Sequence, residues 1–336
     1  MIKQQKNTTS THHSKYSEIE RFVRQHAGQR LPGERELTAQ FGISRLQVRN
    51  ILEQLEQKGL VQRRHGSGTY ALIQGDNELA HVVLLVDSAL KLGDDPFFSL
   101  LLDRLQSELQ AAGTQCVMLR TEGEGVPLPA TDGVIALGGA ALSALKSAIS
   151  TSLPAVGLFA AATAKPRHNL SLLELDDERA GSEAAQRLIA QGVNQAYFFG
   201  RRTVPAVAER LAGVERELEN ANVPLTVVSC GLNYAAGLEQ GIAFDAPKTG
   251  LTGLIASNDW LAIGLHTGLQ SQSPELRRRL FIVSFDGLPL VHRPELDITS
   301  LTVPLETMAI DAVAELRRLK CSGSVGRAIR YSLDLK

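Results

Sequence analysis

The chain has 336 residues, enough for two domains of ordinary size, and 43% of them are apolar, enough to fill full-sized cores. Thirty-five Lys and Arg stand against 36 Asp and Glu, which excludes a histone-like polycation and an acidic disordered chain. The three cysteines, Cys116, Cys230 and Cys321, form no C-x-x-C pair, and the longest apolar runs fall far short of the ~20 residues of a membrane helix. Residues 1–14 are polar and lack the apolar core of a secretory signal. The expectation is a soluble cytoplasmic protein with no disulfide framework, no metal site, no cofactor and no membrane contact.

The balanced total hides an asymmetry. Residues 1–76 hold twelve basic and seven acidic residues, a net of +5, and the remainder carries −6. A small basic head precedes a large acidic body, the pattern of a polyanion-binding segment on a body with another task.

Residues 1–14 read as a disordered tail. In 16–26, Tyr16, Ile19, Phe22 and Val23 recur at helical spacing. Leu31-Pro32-Gly33 breaks that helix. A second, short helix follows over 34–41 with Leu37 and Phe41 inward, and Gly42 stops it. Ser44 suits the N-cap of a third helix that runs to about Lys58, with Val48, Ile51, Leu52 and Leu55 on one face and Gly59 at its end. Helix, glycine-containing turn, helix is the helix-turn-helix pattern. Two alternating segments, 60–64 and 69–72, then flank His65-Gly66-Ser67-Gly68, a hairpin with a basic tip that reads as a wing.

In a helix-turn-helix the first residues of the second helix reach base edges. Here these are Ser44, Arg45, Leu46, Gln47 and Arg49. Arginine suits guanine, glutamine suits adenine, and serine suits phosphate or base. Arg35, at the start of the preceding helix, suits phosphate.

The run from Leu31 to Tyr70 resembles the winged helix-turn-helix of the GntR family, and the resemblance covers about residues 15–72. It is carried by Leu31-Pro32, Glu34-Arg35-Glu36-Leu37, Phe41-Gly42-Ile43-Ser44-Arg45, Val48-Arg49, Gly59-Leu60 and Gly66-Ser67-Gly68-Thr69-Tyr70. It implies contacts to double-stranded DNA at Arg35, Ser44, Arg45, Gln47, Arg49, His65 and Gly66. At 46 and 47 the family often has a small residue followed by Thr, where this chain has Leu46 and Gln47, so base preference there does not carry over.

Residues 73–79 read as a polar linker. From His81 onward, short apolar strands alternate with amphipathic helices. One helix is expected over 97–112 with Phe98, Leu101, Leu102, Leu105 and Leu109 inward, and others over 179–191, 204–221 and 305–319. Alternation of this kind implies parallel sheets, and about ten strands imply two of them. Ligands of open α/β sheets bind beyond the carboxyl ends of the strands. Those ends are Asp87-Ser88, Thr121, Gly138-Gly139, Phe159, Gly200-Arg201-Arg202, Asn258-Asp259 and Asp286-Gly287.

The body, about residues 80–334, resembles the effector-binding module of the LacI/GalR repressors, which is itself similar to periplasmic binding proteins. The most specific segments are Ala256-Ser257-Asn258-Asp259 and Ile282-Val283-Ser284-Phe285-Asp286, supported by Asp95-Pro96-Phe97-Phe98 and Arg210-Leu211-Ala212-Gly213. The resemblance implies effector contacts at Phe98, Arg210, Asn258 and Asp286; Asp87 and Phe159 join them as strand-end positions. Phe159 stands where sugar-binding members place an aspartate, which points to a ligand with fewer hydroxyls than a hexose or with an anionic group for Arg210. Trp260 and Tyr234 are candidate stacking rings.

The expected fold is α/β: a small winged helix-turn-helix head on a two-lobed, periplasmic-binding-protein-like body with parallel sheets. The boundaries read as tail 1–14, DNA-binding domain 15–72, linker 73–79 and effector-binding domain 80–336. The N-terminal lobe is expected over 80–171 and 300–322, and the C-terminal lobe over 172–299 and 323–336. The implied function is a homodimeric transcriptional regulator, most simply a repressor, controlled by a small polar metabolite. The competing reading is an α/β enzyme, or a metabolite-binding protein whose basic head has another role. The sequence shows no P-loop, nucleophile elbow, zincin or strand-linked dinucleotide motif, and no catalytic residue is assigned.

Overall fold

The computed structural model describes residues 15–23, 25–26, 29–64, 68–71, 79–123, 126–148, 153–159, 164–245, 247, 249–322 and 325–335. The expected tail, nearly all of the expected linker and the wing tip 65–67 lie outside the described residues.

The head is built from helical residues 15–23 (α1), α2 (Glu34–Phe41), α3 (Arg45–Gln57) and a hairpin of β1 (Val61–Arg64) and β2 (Gly68–Ala71). Ile19, Leu37, Val48, Ile51, Leu52 and Leu55 meet in its core, each 1% exposed or less. Gly42, at φ 66°, ends α2 in the left-handed region that costs glycine nothing. The Ser44 hydroxyl accepts from the Gln47 N–H at 3.2 Å, while Gln47 Oε1 accepts from the Ser44 N–H at 2.9 Å, a reciprocal capping box that starts α3. The Leu31 N–H donates to Thr69 O at 2.7 Å and the Ala71 N–H to Gln29 O at 2.9 Å, so residues 29–31 pair with β2 opposite β1.

The body holds two six-stranded sheets. Its elements in chain order are β3 (His81–Asp87), α4 (Pro96–Ala111), β4 (Gln115–Thr121), β5 (Gly133–Leu137), α5 (Gly139–Ala148), β6 (Ala155–Leu158) and β7 (Leu170–Leu175). Then come α6 (Asp177–Ala190), β8 (Gln195–Phe199), α7 (Pro205–Asn220), β9 (Leu225–Val228), α8 (Tyr234–Ala243), β10 (Thr252–Ala256) and α9 (Asp259–Leu269). Last are α10 (Pro274–Arg277), β11 (Leu280–Asp286), β12 (Ile298–Thr302), α11 (Leu305–Ser322), β13 (Ala328–Tyr331) and β14 (Asp334–Leu335). The first sheet runs β13-β7-β6-β5-β3-β4 and is parallel throughout. The second runs β14-β12-β11-β10-β8-β9, with only β14 antiparallel.

The lobe boundaries differ from the sequence reading. β7 pairs with β6 in the first sheet, so the chain enters the second lobe at Asp176 and not at 172. The segment Leu170–Leu175 is apolar enough to be covered on both faces, which makes it an interior strand. β12 lies beside β11, so residues 300–302 belong to the second lobe, and the return passage falls at Val303-Pro304. α11 then packs on α4 and on β5, β6 and β7 of the first lobe. β13 extends the first sheet and β14 the second, so the chain crosses once more at Ser332-Leu333. Leu79, placed in the linker by the sequence reading, is 3% exposed and packs in the first lobe.

Helices α6 and α7 touch backbone to backbone. A Cβ on Gly181 would lie 1.8 Å from Arg210 O, and one on Gly213 would lie 2.0 Å from Glu178 O. Small residues at both positions therefore set the distance between the helix that begins with Asp177 and the helix that carries Arg210.

Candidate functional site

In the head, α3 turns its apolar face inward and leaves Arg45, Leu46, Arg49 and Asn50 exposed. Arg35 is exposed near the start of α2. Glu34 holds both arginines of α3: its carboxylate accepts from Arg45 Nε at 2.9 Å and lies 3.3 Å from Arg49 Nε. The hydrogen bond from Arg45, with Arg49 beside it, keeps the Glu34 carboxyl below the usual glutamate range despite partial burial. The wing is tied to the same helix, because Arg63 N–H donates to Glu56 Oε1 at 3.0 Å and Arg63 Nη2 donates to Arg49 O at 3.1 Å.

Gln47 and Ser44 are committed to the capping box. Gln47 Oε1 accepts from both the Ser44 N–H and its hydroxyl, at 2.9 and 3.0 Å. Bidentate pairing of Gln47 with adenine would have to break that box. His65 and Gly66 lie outside the described residues.

In the body, a charged cluster sits at the carboxyl ends of the second sheet. Arg210 Nε donates to Asp177 Oδ1 at 2.7 Å, and Nη1 donates to the Ser257 carbonyl at 2.7 Å. Nη1 also lies 3.7 Å from Asp286 Oδ1, and the guanidinium carbon stands 4.6 Å from the Phe285 ring centroid. Burial works against the charge on Arg210, but Asp177, Asp286 and Asp259 outweigh it and hold the proton. Asp286 has φ 114°, a strained left-hand value for a residue with a Cβ. Burial drives its carboxyl well above the usual aspartate range, Arg210 opposes this, and Asp259 and Asp95 add to it.

Asp259 fastens the floor of the cluster. Its Oδ1 accepts from the hydroxyls of Ser284 and Ser300, the latter at 2.7 Å, and its Oδ2 accepts from the Leu288 N–H at 2.6 Å. Burial still pushes its carboxyl up to about 6, against those hydrogen bonds. Asp95, from the first lobe, feels the charge of Arg210 and caps α4 through the Phe97 N–H at 3.0 Å; burial is the largest influence and raises its carboxyl.

In the first lobe, three rings gather just beyond Asp95 at the start of α4 and the end of β6. Phe98 and Phe159 meet edge to face at 5.9 Å and 89°, and Phe97 touches both. Phe97, at 5% exposure, is buried, and Phe98, partly buried, packs against the same core from the inward side expected for it. Phe159 adopts φ 53°, which turns its ring from the end of β6 against Phe97 and Phe98.

The structure thus brings Arg210 to Asp286 and Phe98 to Phe159. Asp87 and Asn258 are occupied locally. Asp87 accepts from the Ala140 and Ala89 N–H groups, each at 2.8 Å, and Asn258 accepts from the Leu261 N–H at 2.8 Å and donates to Leu232 O at 2.9 Å. Tyr234 and Trp260 pack on each other with their rings tilted by 43° and centroids 5.5 Å apart. Asp177, Asp95 and Asp259 were given no site role by the sequence reading, although Asp259 stood in a strand-end pair and Asp95 in a resembling segment. Asp176-Asp177-Glu178 stands directly at the start of the helix expected over 179–191. Asp176 does cap α6, while Asp177 turns inward to the arginine. Among the described residues, no group of three or more His, Cys, Asp or Glu could hold a metal ion, and no helix is long and apolar enough to cross a membrane.

Geometry of this kind defines a class: a winged DNA-reading head fused to a two-lobed ligand-binding body. Residues 19–71 match the family described as bacterial regulatory proteins, gntR family, and residues 185–328 match the periplasmic binding protein-like domain. The chain thus joins a head that matches the gntR family model to a body that matches the periplasmic binding protein-like domain. It is similar to the HTH-type transcriptional regulator DegA of Bacillus subtilis, with 25% identity over 175 residues, 51% of this chain and 50% of that one. The chain spans half or less of the length of the curated relatives it matches. Among solved structures, the Escherichia coli transcriptional repressor AscG aligns with a TM-score of 0.61 at 18% identity, covering 76% of this chain and 97% of that one. A LacI family regulator from Enterococcus faecium with bound ribose aligns with a TM-score of 0.61 at 19% identity, covering 76% and 96%. At these identities the structural likeness establishes the fold.

Proposed function

We propose that the chain is a ligand-responsive, DNA-binding transcriptional regulator, a repressor acting as a homodimer in the cytoplasm. Its head holds operator DNA through Arg35, Ser44, Arg45, Arg49 and the wing with His65 and Gly66. Its body binds a small polar effector between the lobes, against Asp95, Arg210 and Asp286 on one side and Phe98 and Phe159 on the other. Asp87 and Asn258 shape the rim. The activity is binding without turnover.

The observation that carries this reading is the Arg210–Asp286 pair, buried at strand ends, influenced by Asp95 of the opposite lobe, in a chain whose head matches a DNA-binding family. An effector that meets residues of both lobes stabilises their closure by its differential affinity for the closed form, and so changes the spacing of the two heads. The guanidinium fork of Arg210 is taken by Asp177 and Ser257, which disfavours the anionic effector that its sequence position suggested. An ionised carboxylate accepts and a protonated one also donates, so the fitting ligand carries hydroxyl or amine groups and lays an apolar face on the rings.

The test has two arms. A thermal-shift screen of sugars, polyols and amines finds the effector by its stabilisation of the native state. Binding of the full chain to selected duplex DNA is then measured with and without it. The expected result is a change in operator affinity. A stabilising ligand that leaves DNA binding untouched, or a chain that selects no sequence, refutes the proposal.

A further inference from the structure

Leu46 is the second residue of α3 and is 67% exposed. An exposed leucine has no role in the packing of the head, whose core uses Val48, Ile51, Leu52 and Leu55 of the same helix. Residues three and four apart share a helix face, so Leu46 stands in one row with Arg49 and Asn50, both exposed. Its neighbour Arg45 is exposed as well and points a charged group from the same end of the helix. Apolar surface is thus displayed among cations, on the end of a helix whose first residues enter the major groove in this architecture.

The chemistry of that groove narrows the partner. Phosphates, sugars and the edges of guanine, adenine and cytosine present polar atoms there, and only thymine presents an apolar group, its 5-methyl. A leucine has no donor or acceptor, so it gains nothing from a polar base edge and leaves that edge desolvated without a partner. Gln47, the adjacent residue capable of polar readout, has its carbonyl oxygen engaged by Ser44. The sequence-reading burden at the start of α3 therefore falls on Arg45 and Leu46.

We infer that Leu46 is a specificity-determining residue that reads a thymine methyl group in the operator, next to a base pair read by Arg45. The inference rests on the DNA-binding reading of the head.

The experiment selects bound duplexes from a random library with the full-length wild type and with Leu46→Ala. The wild-type consensus should contain a thymine whose enrichment disappears in the variant. Replacing that thymine by deoxyuridine removes the methyl and nothing else. It should weaken wild-type binding about three- to fivefold, the size of one buried methyl group, and leave Leu46→Ala binding unchanged. Equal thermal unfolding of the two proteins confirms that the exposed site tolerates the change. An unaltered consensus in the variant, or equal sensitivity of both proteins to deoxyuridine, overturns the inference while leaving DNA binding intact. A wild type that selects no sequence overturns this inference and the reading of the head together.

Discussion

Arg210 and Asp177 form a hydrogen-bonded ion pair of 2.7 Å with side chains only 7% and 9% exposed. Breaking such a pair leaves a buried charge unmatched, a loss of about 3–5 kcal/mol. Arg210→Ala, which strands Asp177 and Asp286 together, should lower the unfolding free energy by that amount. Asp177→Asn keeps an acceptor for Nε and should cost less. Denaturant unfolding of both variants checks the order, and an Arg210→Ala protein within about 1 kcal/mol of wild type would contradict the cluster described above. Ligand titrations into Arg210→Ala need to be read beside this loss.

Asp259 gives a pH prediction with a definite sign. Its carboxyl is pushed up to about 6 in the folded chain, above its value of 3.8 when unburied. Between those values the folded state binds more protons than the unfolded one, so this group destabilises at neutral pH and the penalty is relieved as pH falls through about 6. Burial of Asp286 acts in the same direction. Thermal unfolding from pH 7.5 to 5 should show a component that rises on acidification. In Asp259→Asn that component should shrink, with an overall loss of stability because the amide keeps only one acceptor oxygen and turns its NH2 toward either the serine hydroxyls or the Leu288 N–H.

Glu34 holds Arg45 and Arg49 when no DNA is bound. Glu34→Gln removes a negative charge facing the DNA and loosens both guanidinium groups. Binding to random duplexes should tighten while operator binding changes less, so the ratio of the two falls. Fluorescence anisotropy across a salt series reads both. In the same assay, Arg45→Ala should cost about 1–3 kcal/mol on operator DNA and relax preference. Arg35→Ala should weaken all duplexes and flatten the salt dependence. Equal losses for Arg45→Ala on operator and random DNA would remove Arg45 from the reading set.

Gly213→Ala should separate α6 from α7, because its Cβ would meet the Glu178 carbonyl at 2.0 Å and the Ser182 nitrogen at 2.7 Å, both backbone atoms that cannot step aside. Overpacking of this kind costs about 1–3 kcal/mol or more. It also shifts Arg210, one turn earlier on α7, away from Asp177. A wild-type melting temperature for Gly213→Ala would show that the helices have room to part.

Local signals were legible where local chemistry decides the outcome. Ser44 was readable as a cap, Gly42 and Gly59 as helix ends, and the alternation from His81 onward as parallel sheets. The Arg210–Asp286 pairing was readable only through resemblance, since 76 residues separate the two. Asp177 was hidden because an acid at a helix start has a sufficient local explanation in the dipole, and only the approach of α7 through Gly181 and Gly213 reveals its second role. Asp95 entered the sequence reading only within the Asp95-Pro96-Phe97-Phe98 segment, because its relation to the opposite lobe exists only in three dimensions.

The three passages between lobes, at Asp176, Val303-Pro304 and Ser332-Leu333, fix the kind of motion the body can make. Three short spans side by side bend together and resist sliding or unscrewing, as the knuckles of a door hinge do. The third span is made by the last described residues, which lay one strand on the edge of each sheet. Severing the chain after α11 would free both edges at once and leave two knuckles in place of three. The lobes would then still swing, but along a looser arc.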